Sequence, residues 1–400
     1  MKEGWKIYQL GEIVTFDKRF KGIDRTKQKN IVTFNHVSAE LLKSLPVDGG
    51  DVKLLATGLF DGYTTIEKAA DKINNGEVIT IPTGGNANIK YYKGLFVDSG
   101  NILAVSKRDD IYLKYVWYYL YFRNEFLESC FKGASIKHPY MPDIWELDVL
   151  IPSLSEQERI VSFLDAEFAK IDALKANTEQ QLKAAKDLFQ SAVKLYLTPK
   201  DGWEKKELGK LCNICGRIGF RGYTTKDMVG GPSEGAITLS PSNIVDGRMD
   251  YTKCQYISWY KYEESPEIMV QNGDVLIVKT GSSYGKSALV KDLPHKATIN
   301  PQSVVIKNIK INNGFFAYLI RTPYVQKEFD GFVAGTAIPT FSQANLSKVV
   351  LSFPSNKEQE HIVTILDSLS ERVKFLQANY NQTITLCNDL KQSLLKSIFE

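Results

Sequence analysis

The chain has 400 residues, 43% hydrophobic and 24% charged, with a formal net charge of +4. Those are the proportions of a soluble globular protein of two or three domains. No apolar run is long enough to span a membrane, Met1-Lys2-Glu3-Gly4-Trp5 starts no signal peptide, and five cysteines are an odd set for a disulfide framework, so a cytoplasmic protein with free thiols is expected.

Residues 1–151 are expected to form a mixed α/β domain. GWKIYQLGEIVTF and NIVTFNHVSAE carry short strand and turn signals, and NNGEVITIPTGGNANIKYYKGLFVDSGNILAVSK alternates apolar runs with Gly and Asn turns. The aromatic-rich DDIYLKYVWYYLYFRNEFLES fits a buried helix, and FKGASIKHPYMPDIWELDVLIP a loop and closing strand. Pro152-Ser153 with Glu156 is a Ser-x-x-Glu helix start, and residues 152–198 then run as a helical rod until Thr198-Pro199-Lys200-Asp201-Gly202 breaks it.

The chain then begins again. GWKIYQLGEI at Gly4 is answered by GWEKKELGKL at Gly202, NNGEVITIPTGG at Asn74 by QNGDVLIVKTGS at Gln271, VWYYL at Val116 by FFAYL at Phe315, and KGASI at Lys132 by AGTAI at Ala334. IPSLSEQERIVSFLD returns as FPSNKEQEHIVTILD, so Pro152 answers Pro354 at an offset of 354 − 152 = 202. Four segments follow: globular 1–151, rod 152–198, globular 199–353 and rod 354–400. Each rod keeps a seven-residue apolar rhythm. The seam reads Ile160, Leu164, Glu167, Ile171, Leu174, Thr178, Gln181, Ala185, Leu188, Ala192 in the first, and Ile362, Leu366, Leu369, Val373, Leu376, Tyr380, Thr383, Cys387, Leu390, Leu394 in the second. Glu167, Gln181 and Thr383 interrupt it with polar side chains, so the rods are expected to pair with each other, antiparallel and in pseudo-twofold relation, with weak spots facing a third element. Residues 199–353 carry 19 Lys/Arg against 14 Asp/Glu, a mild excess that permits a nucleic-acid partner without demanding one.

These duplicated motifs together resemble one known family, the specificity subunit of type I restriction–modification enzymes, over the whole chain. The resemblance implies two α/β target-recognition domains, each reading one half of a bipartite asymmetric site in double-stranded DNA, held apart by conserved helices that act as a ruler. It also implies docking of two methyltransferase subunits and, through them, of the restriction translocase subunits. Catalysis, with S-adenosylmethionine, ATP and magnesium, would then belong to those partners, and this chain would carry no cofactor and no enzyme activity. Two other readings remain open: a specificity subunit for a fused nuclease–methyltransferase, and a coiled-coil scaffold with two protein-binding domains.

The residues agree with an absence of catalysis. TGSSYGKSA at Thr280 has three residues between Gly281 and Gly285 where a phosphate-binding loop needs four, and TGGNANIK in the first half lacks the Gly-Lys-Ser/Thr ending. Cys212-Asn213-Ile214-Cys215 lacks two further ligands at sensible spacing for structural zinc. There is no methyltransferase Asn/Asp-Pro-Pro-Tyr motif and no GxGxxG. Loop residues able to meet bases or phosphates are Lys18, Arg19, Lys21, Asn86, Asn88, Lys90, Tyr91, Lys137 and His138 in the first half. In the second they are Arg217, Arg221, Tyr223, Ser282, Ser283, Tyr284, Lys286 and Thr340. Leu174 and Leu376 are the candidate contacts to a methyltransferase subunit.

Overall fold

The computed structural model describes residues 4–20, 32–58, 60–332 and 339–400. The chain divides into two compact units, residues 1–178 with 381–400, and residues 179–380. This division cuts through both rods rather than at their ends. Each rod is one continuous α-helix of 44 residues, Leu154–Leu197 and Asn356–Phe399.

The first unit is built on a six-stranded sheet in the order Val14–Phe16, Asn101–Ser106, Asn74–Pro82, Lys90–Ser99, Val52–Ala56, Asp61–Thr64. Only the Val52–Ala56 and Lys90–Ser99 pair is parallel. The central strand Asn74–Pro82 ends in five consecutive buried residues, as expected of a strand covered on both faces. In the second unit the equivalent three strands, Asn213–Gly216, Ser303–Lys307 and Val275–Val278, lie in the same antiparallel order. They continue into Ser287–Leu289, Arg248–Met249 and Ile244–Val245, and a second, four-stranded sheet holds Met228–Val229, Gln255–Ser258, Gly235–Leu239 and Ala297–Ile299.

Both globular parts are closed in the same way. The strand after the Gly-Trp start pairs antiparallel with the strand before the long helix, Lys6–Gln9 with Asp148–Ile151 and Glu204–Glu207 with Val350–Phe353. The Leu-Gly dipeptide follows: Leu10 N–H donates to Leu147 O and Leu208 N–H to Val349 O. A Cβ on Gly11 would fall on the Trp145 ring, so only glycine fits there. Trp5 meets Tyr115 edge-on at 6.5 Å, and Trp203 meets Phe315 likewise at 6.3 Å.

That last pair corrects the repeat register. The aromatic helix is Leu113–Phe122 in the first unit and Asn313–Ile320 in the second, and Tyr115 matches Phe315 while Tyr118 matches Tyr318. Val116 therefore answers Phe316, one residue later than the VWYYL/FFAYL match expects. The helix expected as one piece through Ser129 also breaks at Arg123 and resumes over Asn124–Ser129.

The rods pair antiparallel within each unit. In the first, Ile160, Val161, Leu164 and Phe168 share a core with Leu395 and Phe399, Cys387 Sγ lies 3.9 Å from Ile171 O, and Lys391 pairs with Asp172 at 2.6 Å. In the second, Ala192 and Leu197 share a core with Ile362 and Leu366, and Lys186 Nζ donates to Gln377 Oε1 at 2.9 Å. The buried face of the first helix runs Leu164, Phe168, Ile171, Thr178, Leu182, Ala185, Phe189, Ala192, Tyr196. Three of the ten expected seam positions are thus taken by a neighbour, Phe168 for Glu167, Leu182 for Gln181 and Phe189 for Leu188, while Leu174 is 55% exposed and Leu188 is also exposed. The polar interruptions in that helix are not in the seam at all. In the second helix the expected seam holds through Cys387, after which Lys391 takes the place expected of the exposed Leu390.

Candidate nucleic-acid interface

In both units the Thr-Gly loop is a hairpin turn. Residues 83–89 join Asn74–Pro82 to Lys90–Ser99, and residues 279–286 join Val275–Val278 to Ser287–Leu289. The TGSSYGKS stretch leads into a strand, with Val278 N–H donating to Lys286 O and Gly285 N–H to Val278 O, whereas a nucleotide phosphate loop leads into a helix. In each unit a second segment is laced to the turn. Gly85 N–H donates to Lys137 O and His138 Nδ1 lies 2.6 Å from Thr83 O. Gly281 N–H donates to Pro339 O, and the Thr280 and Thr340 hydroxyls are 2.8 Å apart. The TG and KGASI/AGTAI neighbourhoods, far apart in sequence, therefore meet in each unit, although residues 334–338 themselves fall outside the described residues, as does Lys21.

The predicted residues divide into those that face outward and those that build the loop. Lys18, Asn86, Lys137, His138, Ser282, Ser283 and Lys286 are exposed, His138 while also bonded to Thr83 O and Lys286 while donating from Nζ to Pro241 O at 3.1 Å. Asn88 is turned in, its Nδ2 donating to Thr57 O and Gly58 O, and Lys90 Nζ donates to Ala56 O and Gly58 O. Tyr91 donates its hydroxyl to Glu77, and burial with that carboxylate pushes its ionisation far up. Arg19 lies 4.0 Å from the buried Asp98. Arg217 is buried: its guanidinium donates to Ile299 O, Thr298 Oγ1 and Arg221 O and lies over the Tyr223 ring, whose hydroxyl meets Thr238. Arg221 pairs with Glu267 at 3.6 Å. Tyr284 donates to Asp330. These eight are tied into the framework, and for Asn88, Lys90 and Arg217 leaving the carbonyl would strand both groups.

Residues that sequence reasoning passed over complete the two clefts. In the first, about 500 Å³, Tyr121 and Asn124 line the wall opposite Asn86, and Glu128 Oε1 accepts the Ala87 N–H and so fixes the loop. In the second, about 300 Å³, Ser240, Ser242 and Gln302 face Ser282 and Ser283. Nothing in the local sequence marks them, since helix packing in the first unit and the pairing of distant segments in the second bring them to the turn.

A buried polar network supports the first unit. His36 has one ring nitrogen 2.7 Å from Asp98 and the other 2.7 Å from Asp17, both carboxylates fully buried. Burial pushes the imidazole down, but the two carboxylate hydrogen bonds outweigh it and raise His36 above the ordinary 6.5. The CxxC pair serves packing: Cys212 is buried with its Sγ against Leu208 O, and burial pushes its thiol up to about 12. Among the described residues no three His, Cys, Asp or Glu side chains form a metal site, and no helix is long and apolar enough to cross a membrane.

The joint between globular part and long helix is the same in both units. Gln157, fully buried, donates from Nε2 to Pro152 O and Asp110 O and accepts Tyr112 N–H. Gln359 donates to Pro354 O and accepts Asn312 N–H. About two turns further on, Tyr118 donates to Asp165 and Tyr318 to Asp367, both at 2.7 Å. The glutamine sits inside the Ser-x-x-Glu-Gln motif, where the sequence reading assigned the work to Ser and Glu. Ser355 Oγ does accept Glu358 N–H, at 3.5 Å, whereas Ser153 Oγ meets Ser155. Each unit thus has a cleft at its Thr-Gly turn and a globular part tied to a long helix by the same glutamine and Tyr–Asp contacts. Residues 2–184 and 200–386 each match the type I restriction modification DNA specificity domain. The chain belongs to that family.

It is a type I specificity subunit with two target-recognition domains. It is 19% identical over 397 residues to the MjaVIII specificity subunit of Methanocaldococcus jannaschii, covering 95% of this chain and 89% of that one. To the EcoKI specificity subunit of Escherichia coli K12 it is 21% identical over 424 residues, covering 100% and 89%. Its fold is similar to a chain from a structure of complex assembly and conformational transition in a type I system, with a TM-score of 0.66 at 16% identity and coverage of 100% and 98%. The S subunit of M. genitalium gives 0.51 at 14% identity, covering 98% and 96%.

Proposed function

We propose that this specificity subunit recognises a bipartite, asymmetric site in duplex DNA, with the residue 83–89 turn and its laced neighbour meeting one half and the residue 279–286 turn the other. The observation that carries this reading is one hairpin framework used twice with unlike exposed side chains: Asn86, Lys137 and His138 in the first unit, Ser282, Ser283 and Lys286 in the second. Amides and hydroxyls suit base edges, and ammonium groups suit phosphates. The long helices fix the half-site spacing, because each is joined to a globular part through its buried glutamine and its Tyr–Asp bond. Their outer faces dock two methyltransferase subunits, through which restriction subunits attach. S-adenosylmethionine, ATP and magnesium act in those subunits, and this chain contributes recognition without catalysis in the cytoplasm.

Methylation mapping of the assembled enzyme tests the reading. Asn86→Ala should relax or abolish one half-site and leave the other intact, with a loss of about 1–3 kcal/mol if a bidentate amide–adenine contact is removed. Ser282→Ala with Ser283→Ala should do the same to the other half. Equal degradation of both halves by either variant rejects independent reading.

A further inference from the structure

A cavity of about 430 Å³ in the second unit lies away from the Thr-Gly turn, between the aromatic helix Asn313–Ile320, the strand Arg248–Met249 and the second long helix. Its wall holds four cations, Arg248, Lys291, Arg321 and Lys374, against three carboxylates, Asp292, Asp367 and Glu371. Two of the carboxylates are already matched. Glu371 pairs with Arg248 at 2.6 Å, and Asp367 accepts the Tyr318 hydroxyl and faces Lys291 at 3.4 Å.

Arg321 is different. Its guanidinium lies over the Tyr318 ring at 5.0 Å and against Gly247, where a Cβ would collide with it; its one hydrogen bond, to Asp246 O, is long at 3.5 Å. Among the described residues no carboxylate reaches salt-bridge distance of it. Burial and the charge of Arg248 disfavour its protonated form, partly offset by Tyr318 and Asp367. A half-buried guanidinium with no carboxylate at pairing distance is well placed for an anion to complete it. Arg248 lines the same space, its own geometry held by Glu371 and the Ser370 hydroxyl. The two forks are thus positioned before any ligand arrives, and Arg forks match the oxygens of phosphate. In the first unit Tyr121 stands where Arg321 does, its ring packed on Trp117 and Phe168, so the arrangement belongs to the second unit.

We propose that the cavity bounded by Arg321, Arg248 and Lys374 is a seat for a phosphate group, either a phosphodiester of the DNA backbone or a free phosphate compound. Titration calorimetry of the full chain with inorganic phosphate, at ionic strength held constant with chloride, tests it. The native chain should give a saturable one-site isotherm, and Arg321→Gln should weaken it roughly tenfold or more. Arg321→Lys, which keeps the charge and loses the fork, should lose less. Should the Gln variant not fold, Lys374→Gln, on an exposed part of the wall, should still weaken binding severalfold. Duplex-DNA binding at several salt concentrations separates the sources. A lower affinity with a flatter salt dependence in Arg321→Gln marks the DNA backbone, and unchanged DNA binding marks a free phosphate compound. No saturable phosphate binding in the native chain, or equal binding in the variants, overturns the proposal.

Discussion

Replacing Gln157 by Leu keeps the volume of a fully buried side chain and removes every hydrogen bond it makes: 2.9 Å to Asp110 O, 3.0 Å to Pro152 O and 2.8 Å from Tyr112 N–H. A buried group left unsatisfied costs about 1–3 kcal/mol. Taking the lower figure for each of the three, because the surrounding loop lies near the surface, the joint between the first globular part and its long helix should weaken by about 3 kcal/mol. Each 1.4 kcal/mol is tenfold, so local opening should become about a hundredfold more frequent. Gln359 makes two such bonds, and Gln359→Leu should cost about 2 kcal/mol, a loss roughly fivefold smaller in frequency. Hydrogen exchange followed by mass spectrometry reads this directly in peptides spanning 110–116 and 312–316. Exchange in 110–116 within twofold of the native chain would refute the reasoning, since the glutamine would then be a filler and not the tie. A faster rate in 110–116 that leaves 312–316 untouched also requires the two joints to be independent.

Leu182 is 5% exposed and Leu174 55% exposed, so Leu182→Asp should destabilise the helix pair by about 3–5 kcal/mol while Leu174→Asp leaves denaturant unfolding within about 0.5 kcal/mol of native. If the outer face docks a methyltransferase, Leu174→Asp should still lose the complex in co-purification; full retention removes that face from the interface. Because the folded state raises the His36 pKa above 6.5, its stabilisation is complete below 6.5 and is lost as pH rises through the raised value. Thermal unfolding of the first unit should therefore fall over that window and flatten in His36→Gln; an unchanged slope in the variant excludes the imidazole as the cause. Inserting four residues at Ala176 and four at Ala378 lengthens each helix by about 6 Å and turns it by about 40°. That corresponds to at most about two base pairs of added spacer, between unaltered half-sites in methylation mapping; unchanged spacing or altered bases would sink the ruler.

The repeat was legible because its signals are local. Gly-Trp, Leu-Gly, the Thr-Gly turn and the helix start each encode a hydrogen-bond pattern within a few residues, and each recurs in order. Both 44-residue helices and the hairpin nature of the turns follow from that. Direction was not legible. Asn88, Lys90 and Arg217 have the chemistry of contact residues, yet segments 30 to 82 positions away supply carbonyls that turn them inward. Ser240 and Gln302 reach the second cleft for the same reason, through the pairing of distant segments.

The long helices show where that boundary lies. Composition and a seven-residue rhythm are enough to specify two rods that must cover an apolar stripe, because a 3.6-residue turn puts every third or fourth side chain on one face. The rhythm is satisfied by two frames that share Leu164, Ile171, Thr178, Ala185 and Ala192 and differ by one residue between them. Choosing Phe168 over Glu167 and Leu182 over Gln181 takes the partner helix, whose own apolar side chains bury one frame and leave the other in water. The same holds for Arg321: the chain places a cation after an aromatic helix, but its missing counter-ion exists only once Gly247, Tyr318 and Arg248 have closed around it.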